Sequence, residues 1–213
     1  MTTATTSCCD EIPATQQVLL LTAMVDIMDR NNKAHPCRVL LDSSSQANLI
    51  SKEIIDSLNL RRFPSNVTVA GVNSTKSHSS YGSIVQIRSR YSSFIANLKC
   101  LITERVTADV PTSPINVGLW EIPPGIQLAD PSFHQTRKVD MLIGNQLFPK
   151  LLLPGQIQLN DHAAILKETR LGWVVGGGYQ TDPNVHSYPL TLEQSIQRFW
   201  EVEELPGDHQ VKN

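Results

Sequence analysis

The chain has 213 residues and a formal net charge of −2, so it can bury a substantial core, and one domain with tails is favoured over two. Its 18 basic and 20 acidic residues leave no basic excess, which argues against free-standing nucleic-acid binding. The four cysteines form no CxxC pair and the six histidines are scattered, so we predict no metal site and no cofactor.

The first ten residues have neither the basic start nor the apolar core of a signal peptide. The apolar run at 18–25 is too short to span a bilayer. Cys37 and Cys100 lie in apolar strand patterns and are predicted to be free, buried thiols, as in a reducing compartment. We therefore expect an intracellular, cytoplasmic protein without a membrane partner.

The first predicted elements form a hairpin that leads to a carboxylate. Residues 1–16 are a Thr-rich lead-in, predicted to be flexible. Residues 18–28 alternate as one long strand, with one face made of Leu19, Leu21, Ala23, Val25 and Ile27. Residues 29–33 have turn composition, and a second strand at 37–41 ends directly before Asp42.

Asp42 is the first candidate functional residue. It is followed by Ser43 and Ser44, and then by a predicted helix at 51–58 with Ser51 as its N-cap. Asp and Ser side chains commonly bond to nearby backbone N–H groups at strand ends, so the local pattern alone favours a structural turn. A carboxylate in such a loop is also suited to act as a catalytic acid.

The segment after the helix predicts a projecting hairpin. Strand patterns at 67–70 and 83–88 flank a polar, glycine-bounded stretch at 71–82, and a further strand alternates along 94–102. A long polar loop between two strands can cover a site, although an ordinary surface loop has the same pattern.

The second half of the chain begins with a segment, 103–138, that contains five prolines and no periodicity. We predict that it is an insertion folded over the surface of the strands. Regular structure is then predicted as a strand at 139–144, a helix around 145–152, a hairpin of 156–159 with 163–166, and a last strand at 169–178.

The C-terminal segment, 179–213, is predicted to be a linker followed by an amphipathic helix. Residues 191–194 have a capping-box pattern, and helical spacing relates Leu192, Ile196, Phe199 and Trp200. Such a helix either packs back on the domain or begins a neighbouring one.

Taken in this order, the elements resemble a retropepsin-type aspartic protease. Four segments are similar to the protease of Bel/Pao-type retrotransposon polyproteins: LDSSSQ at 41–46, LADPSF at 128–133, VDMLIG at 139–144 and TRLGWV at 169–174. The RFWEVEE stretch at 198–204 resembles the junction with reverse transcriptase in those polyproteins. The resemblance covers about residues 17–204.

The resemblance implies an all-β fold with one or two short helices, a retropepsin-like acid-protease barrel that is half of a two-fold dimer. The peptidase domain would be 17–178, and 179–213 would lead toward the reverse transcriptase. The implied function is an aspartic-type endopeptidase that processes a retroelement polyprotein, in the cytoplasm or within retroelement particles. Its partners would be a second copy and a polypeptide substrate, with no direct nucleic-acid contact and no cofactor.

The implied chemistry requires two carboxylates that share one proton, because like charges about 3 Å apart cannot both ionise. This chain has one suitable Asp-Ser loop, since Asp56 lies in the predicted helix and Asp140 is followed by Met141. The pair would therefore be Asp42 from each of two chains related by a two-fold axis.

The resemblance assigns supporting roles around Asp42. Ser43 would brace the two loops across the dimer axis. The stretch 71–82 would be the flap over the substrate, with Gly71, Val72, Asn73 and Ser74 as its substrate-binding residues. Structural support beneath the loop would come from Leu142, Ile143 and Gly144. For Asp130 and Asp140 we predict structural roles.

Ser44 departs from the Asp-Ser/Thr-Gly pattern of the family. A serine held at positive φ costs about 1 kcal/mol or more, so we expect strain at this position. We predict that Ser44 weakens or abolishes catalysis and leaves the fold intact. The alternative function is therefore a catalytically impaired, retropepsin-like dimerisation or peptide-binding module.

Overall fold

The computed structural model describes residues 16–70, 76–118, 120–159 and 164–180. The predicted lead-in at 1–16 lies outside these ranges except for Gln16, and the amphipathic helix of the tail lies outside them entirely. Within the described residues the helices are α1 (Lys52–Ser57) and α2 (Phe148–Leu151). In chain order the strands are β1 (Gln16–Leu19), β2 (Thr22–Met28), β3 (Ala34–Leu41), β4 (Asn48–Ser51), β5 (Arg62–Ala70), β6 (Lys76–Ser89), β7 (Ile95–Thr103), β8 (Met141–Ile143), β9 (Leu152–Gln158), β10 (Ile165–Thr169) and β11 (Gly172–Gln180).

Six of these strands form a closed barrel. The first sheet has the order β2-β3-β8-β4-β7-β6-β5, and β2 also pairs with β6, which closes the barrel and leaves β5 attached outside it. Its interior is apolar, with fully buried side chains such as Val25, Val39 and Ile87. The prediction of an all-β fold with short helices is confirmed.

The two thiols of the described residues lie in this interior. Cys37 and Cys100 are free and buried, as predicted. Burial raises the pKa of Cys100 to about 12 and that of Cys37 well above its ordinary value, because a thiolate is poorly solvated there.

A second, four-stranded antiparallel sheet has the order β1-β11-β10-β9. Its core includes Leu19, Leu166 and Val175, and it also contains Phe133 from the proline-rich segment. The segment 103–138, predicted to fold over the surface of the strands, thus also contributes to a core. Ala129 is fully buried, and its N–H donates to Trp173 O while its carbonyl accepts from Met24 N–H, both at 2.7 Å.

The predicted single strand at 18–28 is two strands in different sheets. β1 pairs with β11, whereas β2 pairs with β3 and β6. Between them the chain leaves one sheet for the other, and Leu21 O accepts from Leu41 N–H at 2.9 Å. The alternation of apolar residues continues across this change, so the pattern could not reveal it.

The predicted last strand at 169–178 is likewise interrupted. β10 ends at Thr169 and β11 begins at Gly172, whose φ of +108° is accessible to glycine without strain. Thr169 Oγ1 accepts from Leu171 N–H at 3.0 Å and donates to Gly172 O at 2.6 Å. These bonds close a tight turn inside a sequence that looks like continuous strand.

Three local predictions are confirmed. Residues 29–33 form the turn of the β2–β3 hairpin, where Asp29 N–H donates to Lys33 O at 2.9 Å. Ser51 caps α1, since its side chain accepts from Ile54 N–H. The predicted hairpin of 156–159 with 163–166 is the longer β9–β10 pair, although Ala163 lies outside the described residues.

The predicted polar loop at 71–82 is mostly strand. β6 begins at Lys76 and pairs with β5 out to Ala70, so the stretch is a hairpin whose tip, 71–75, lies outside the described residues. The side chains of His78 and Ser80 are exposed. Backbone hydrogen bonds between β5 and β6 can hold these strands together without apolar side chains. The hydrophobic pattern therefore did not predict a strand at 76–82.

A buried ion pair joins the barrel to the proline-rich segment. Arg38 and Asp130 are each 2% exposed, and Arg38 Nε donates to Asp130 Oδ2 at 2.7 Å. Arg38 Nη1 donates to Val110 O and Arg137 O at 2.7 and 2.8 Å, and Thr22 Oγ1 donates to Asp130 Oδ2 at 2.8 Å. The charges are therefore paired and hydrogen-bonded, as burial requires.

We predict that Asp130→Asn lowers the free energy of unfolding by about 3–5 kcal/mol, because it leaves the Arg38 charge buried without a counter-charge. Urea denaturation measures this loss. The matched control is Asp109→Asn in the same segment, which removes an exposed pair with Arg105 and costs about 1 kcal/mol or less. Similar losses in the two variants would contradict the role given to the buried pair.

Candidate active-site loop

The topology of the barrel positions the Asp42 loop. β8 lies between β3, to which it is parallel, and β4, to which it is antiparallel. The connection from β3 to β4, residues 42–47, therefore passes over the end of β8. Two backbone bonds hold it there: Asp42 N–H donates to Ile143 O at 3.0 Å, and Asn145 N–H donates to Ser45 O at 2.7 Å.

Leu142, Ile143 and Gly144 lie directly beneath this loop. Leu142 and Ile143 are buried, at 7% and 0% exposure. A Cβ on Gly144 would lie 2.6 Å from both Ser45 O and Ala47 O, closer than real Cβ contacts. The loop backbone can approach this strand only because residue 144 has no side chain.

Asn48 is a supporting residue that the sequence analysis missed. It is 2% exposed, its Oδ1 accepts from Gly144 N–H at 2.9 Å, and its Nδ2 donates to Lys99 O at 3.1 Å. Its amide thus links β8 to β7 immediately after the Asp42 loop. The sequence did contain a sign of this role, because Asn48 begins an apolar run. A polar side chain in such a run is expected to be buried and therefore to need hydrogen-bond partners.

The Asp42 carboxylate is half-buried, and only one of its two oxygens accepts a hydrogen bond from the described residues. Oδ1 accepts from Ser44 N–H at 2.8 Å, the local bond expected of a structural turn. Oδ2 has no hydrogen-bond donor among the described residues. One oxygen is therefore oriented by the loop, and the other is open to a water molecule or a second carboxylate.

Ser43 and Ser44 are both exposed. The strain expected at Ser44 is not observed, because its φ is not positive. Among the described non-glycine residues, positive φ occurs at Asn32 and Asn59. The loop turns through the Asp42–Ser44 bond with a backbone that serine adopts readily. Any effect of Ser44 on catalysis must come from its side chain and not from φ strain.

The other predicted site residues fall into two groups. Gly71, Val72, Asn73 and Ser74 lie outside the described residues. Asp130 and Asp140 meet at Arg38 instead of at Asp42: Asp130 pairs with the guanidinium, and Asp140 Oδ2 accepts from Arg38 N–H at 3.1 Å. These contacts agree with the structural roles predicted for both carboxylates.

Comparison with protein-family models and with curated proteins gives no match for this chain. In the part of the chain that the structure describes, no helix has the length and apolar character needed to cross a membrane. The Asp42 loop therefore remains the candidate functional site, by its geometry and by the resemblance of its sequence.

We predict that Gly144→Ala destabilises the fold by about 1–3 kcal/mol, because the added methyl group overlaps two carbonyl oxygens of the loop. Thermal or urea unfolding measures the loss. Gly118→Ala is the control, since its Cβ would meet only the end of the Asn116 side chain, at 3.2 Å. A loss at Gly144 no larger than at Gly118 would show that the loop can move away.

Asp140 makes the stability of this region depend on pH. Burial raises the pKa of Asp140, although the Arg38 N–H bond and the nearby Lys138 and Arg137 charges oppose the shift, while Glu53 adds to it. A raised folded-state pKa contributes stability that is present below the ordinary pKa, about 3.9, and is lost as pH rises through the folded value.

Asparagine does not titrate, so the stability of Asp140→Asn relative to the parent should improve between about pH 4 and pH 7. Urea denaturation at both pH values measures the difference. Asp109→Asn reports the general effect of removing one exposed negative charge. A difference that stays constant or moves the other way contradicts the prediction.

Proposed function

We propose that this chain is one subunit of a homodimeric aspartic-type endopeptidase that processes a retroelement polyprotein. The observation that carries the proposal is Asp42 itself, a half-exposed carboxylate at the end of a core strand, on a loop anchored over β8. The order of motifs around it resembles retropepsin-type proteases and supports the same assignment.

The chemistry follows from pairing two such loops. Two Asp42 carboxylates at close range hold one proton between them. The ionised carboxylate takes a proton from water, whose oxygen attacks the scissile carbonyl carbon, and the protonated partner gives its proton to the carbonyl oxygen. The tetrahedral intermediate then breaks its C–N bond as the newly protonated carboxyl gives its proton to the leaving nitrogen. The other carboxylate takes a proton from a hydroxyl of the intermediate, which restores the shared proton of the dyad.

Neighbouring residues have supporting roles in this proposal. The exposed Ser43 hydroxyl makes no hydrogen bond within the described residues and is available to bond across the dimer axis. By the resemblance, the hairpin of β5 and β6 would be the flap that covers the bound polypeptide, and the substrate-binding residues would be Gly71, Val72, Asn73 and Ser74, which lie outside the described residues.

A specific observation favours the second candidate function, a catalytically impaired dimerisation or peptide-binding module. Ser44 is exposed two residues after Asp42, and it adds a side chain where the family has glycine. A displacement of a catalytic group by about 1 Å can reduce the rate roughly a hundredfold.

The deciding experiment is cleavage of a mixed peptide library by the purified, demonstrably dimeric chain from about pH 4 to pH 7. We expect Asp42→Asn to lower the cleavage rate by about a thousandfold or more, because it removes the shared proton and the base together. Asp109→Asn, an exposed carboxylate in another segment, is the control and should leave cleavage unchanged.

Ser44→Gly separates the two candidate functions. Cleavage by Ser44→Gly alone identifies a protease disabled by the Ser44 side chain, whereas cleavage by the parent shows that serine is tolerated. If dimeric parent and Ser44→Gly are both inactive, the endopeptidase assignment is wrong. Peptide binding that survives Asp42→Asn would then support the module.

A further inference from the structure

A cleft of about 600 Å³ lies where the barrel, the second sheet and the proline-rich segment meet. Its walls include the turn between β6 and β7, at residues 91–94, the first residue of β7, the end of β10 and the start of β11. Residues 42–47 do not line it. The volume falls within the range of small-ligand and peptide side-chain sites, about 300–1,000 Å³.

The walls of this cleft are held in place by bonds between separate segments. Ser92 Oγ donates to Arg170 O at 2.7 Å, and Trp173 N–H donates to Gln127 O at 2.9 Å. At Gly172 a Cβ would lie 3.0 Å from the Tyr91 ring, so the turn and the ring are in close contact. The cleft is therefore formed by contacts within one chain and needs no second copy to complete it.

Arg170 is an exposed residue that lines this cleft, and its guanidinium is oriented by one hydrogen bond and one aromatic contact. Its Nε donates to Lys150 O at 3.0 Å, and its Cζ lies 6.0 Å from the centroid of the Phe94 ring. Its two terminal nitrogens have no acceptor among the described residues. A guanidinium held at Nε and free at both terminal nitrogens is suited to bind a carboxylate through two parallel bonds.

The remaining lining limits the class of ligand. Glu168 is the other charged residue of the cleft, and its Oε2 accepts from Gly155 N–H at 3.2 Å. The two charges sum to zero, which disfavours polyanions such as nucleic acids. Tyr91 and Ile95 are 38% and 50% exposed and, with Trp173, supply apolar surface beside the guanidinium.

We infer that this cleft binds a peptide through one carboxylate on Arg170 and an adjacent apolar side chain on Tyr91 and Trp173. The carboxylate is either the C-terminus of the peptide or an Asp or Glu side chain, since both offer the same two oxygens. This binding does not depend on the Asp42 loop or on catalysis.

The test uses the full chain carrying Asp42→Asn, so that no probe is consumed. Three hexapeptides are compared by calorimetry and Trp fluorescence: one ending in Phe with a free carboxylate, the same peptide amidated, and an amidated peptide with Glu beside Phe. We expect the first or third to bind, the neutral amide to bind about tenfold more weakly or worse, and higher salt to weaken binding.

Arg170→Gln should lower the affinity for the acidic peptide by about tenfold or more, with Arg170→Lys intermediate because lysine lacks the paired donors. Arg105→Gln, an exposed arginine outside the cleft, should not change it. Tyr91→Ala tests the apolar surface of the cleft and should weaken binding several-fold. Because Tyr91 is exposed, this variant still tests the inference if the Arg170 variants unfold.

The outcomes are distinct. Binding of the free acid alone identifies a C-terminal ligand, and binding of the internal Glu peptide identifies an acidic side chain. Equal binding of the neutral amide, unchanged affinity in folded Arg170→Gln and Tyr91→Ala, or no binding of any probe at millimolar concentration would each overturn the inference.

Discussion

The structure depends on how one buried charge is satisfied. Arg38 lies inside a run of apolar strand residues, and its guanidinium cannot remain in the core without partners. Asp130 and the carbonyls of Val110 and Arg137 supply them, and all three belong to the proline-rich segment. The segment is thereby held against the barrel, and its Phe133 reaches the core of the second sheet. These contacts fix the conformation of the proline-rich segment, although its sequence has no hydrophobic periodicity.

The second constraint is the passage of β8 between β3 and β4. Because these two strands flank the Asp42 loop, the loop has to cross the end of β8 at close range. Gly144 allows that approach, and the Asn48 amide ties the crossing to β7. The loop is fixed by backbone bonds that do not involve the Ser44 side chain. Its position is therefore compatible with either serine or glycine at 44, and this is why φ strain was the wrong expectation.

The two sites that we propose differ in what completes them. Asp42 has an unbonded oxygen and is a single carboxylate, so acid–base chemistry of the aspartic type requires a second copy. The Arg170 cleft is lined by segments of one chain and combines an oriented guanidinium with some exposed apolar surface. In these proposals the first site needs a second copy of the chain, whereas the second lies within one chain.

Local chemistry was enough to predict the β2–β3 hairpin, the Ser51 cap and most of the barrel strands, because alternation and capping act between residues close in sequence. It did not predict β4, whose four residues are too few to show a pattern. It also identified Asp42 as a loop carboxylate. It could not show that residues 18–28 change sheets, since the same alternation continues through both strands. Nor could it pair Arg38 with Asp130, 92 residues away, or find the turn at Gly172. Those features arise from contacts between distant segments, which only the tertiary structure decides.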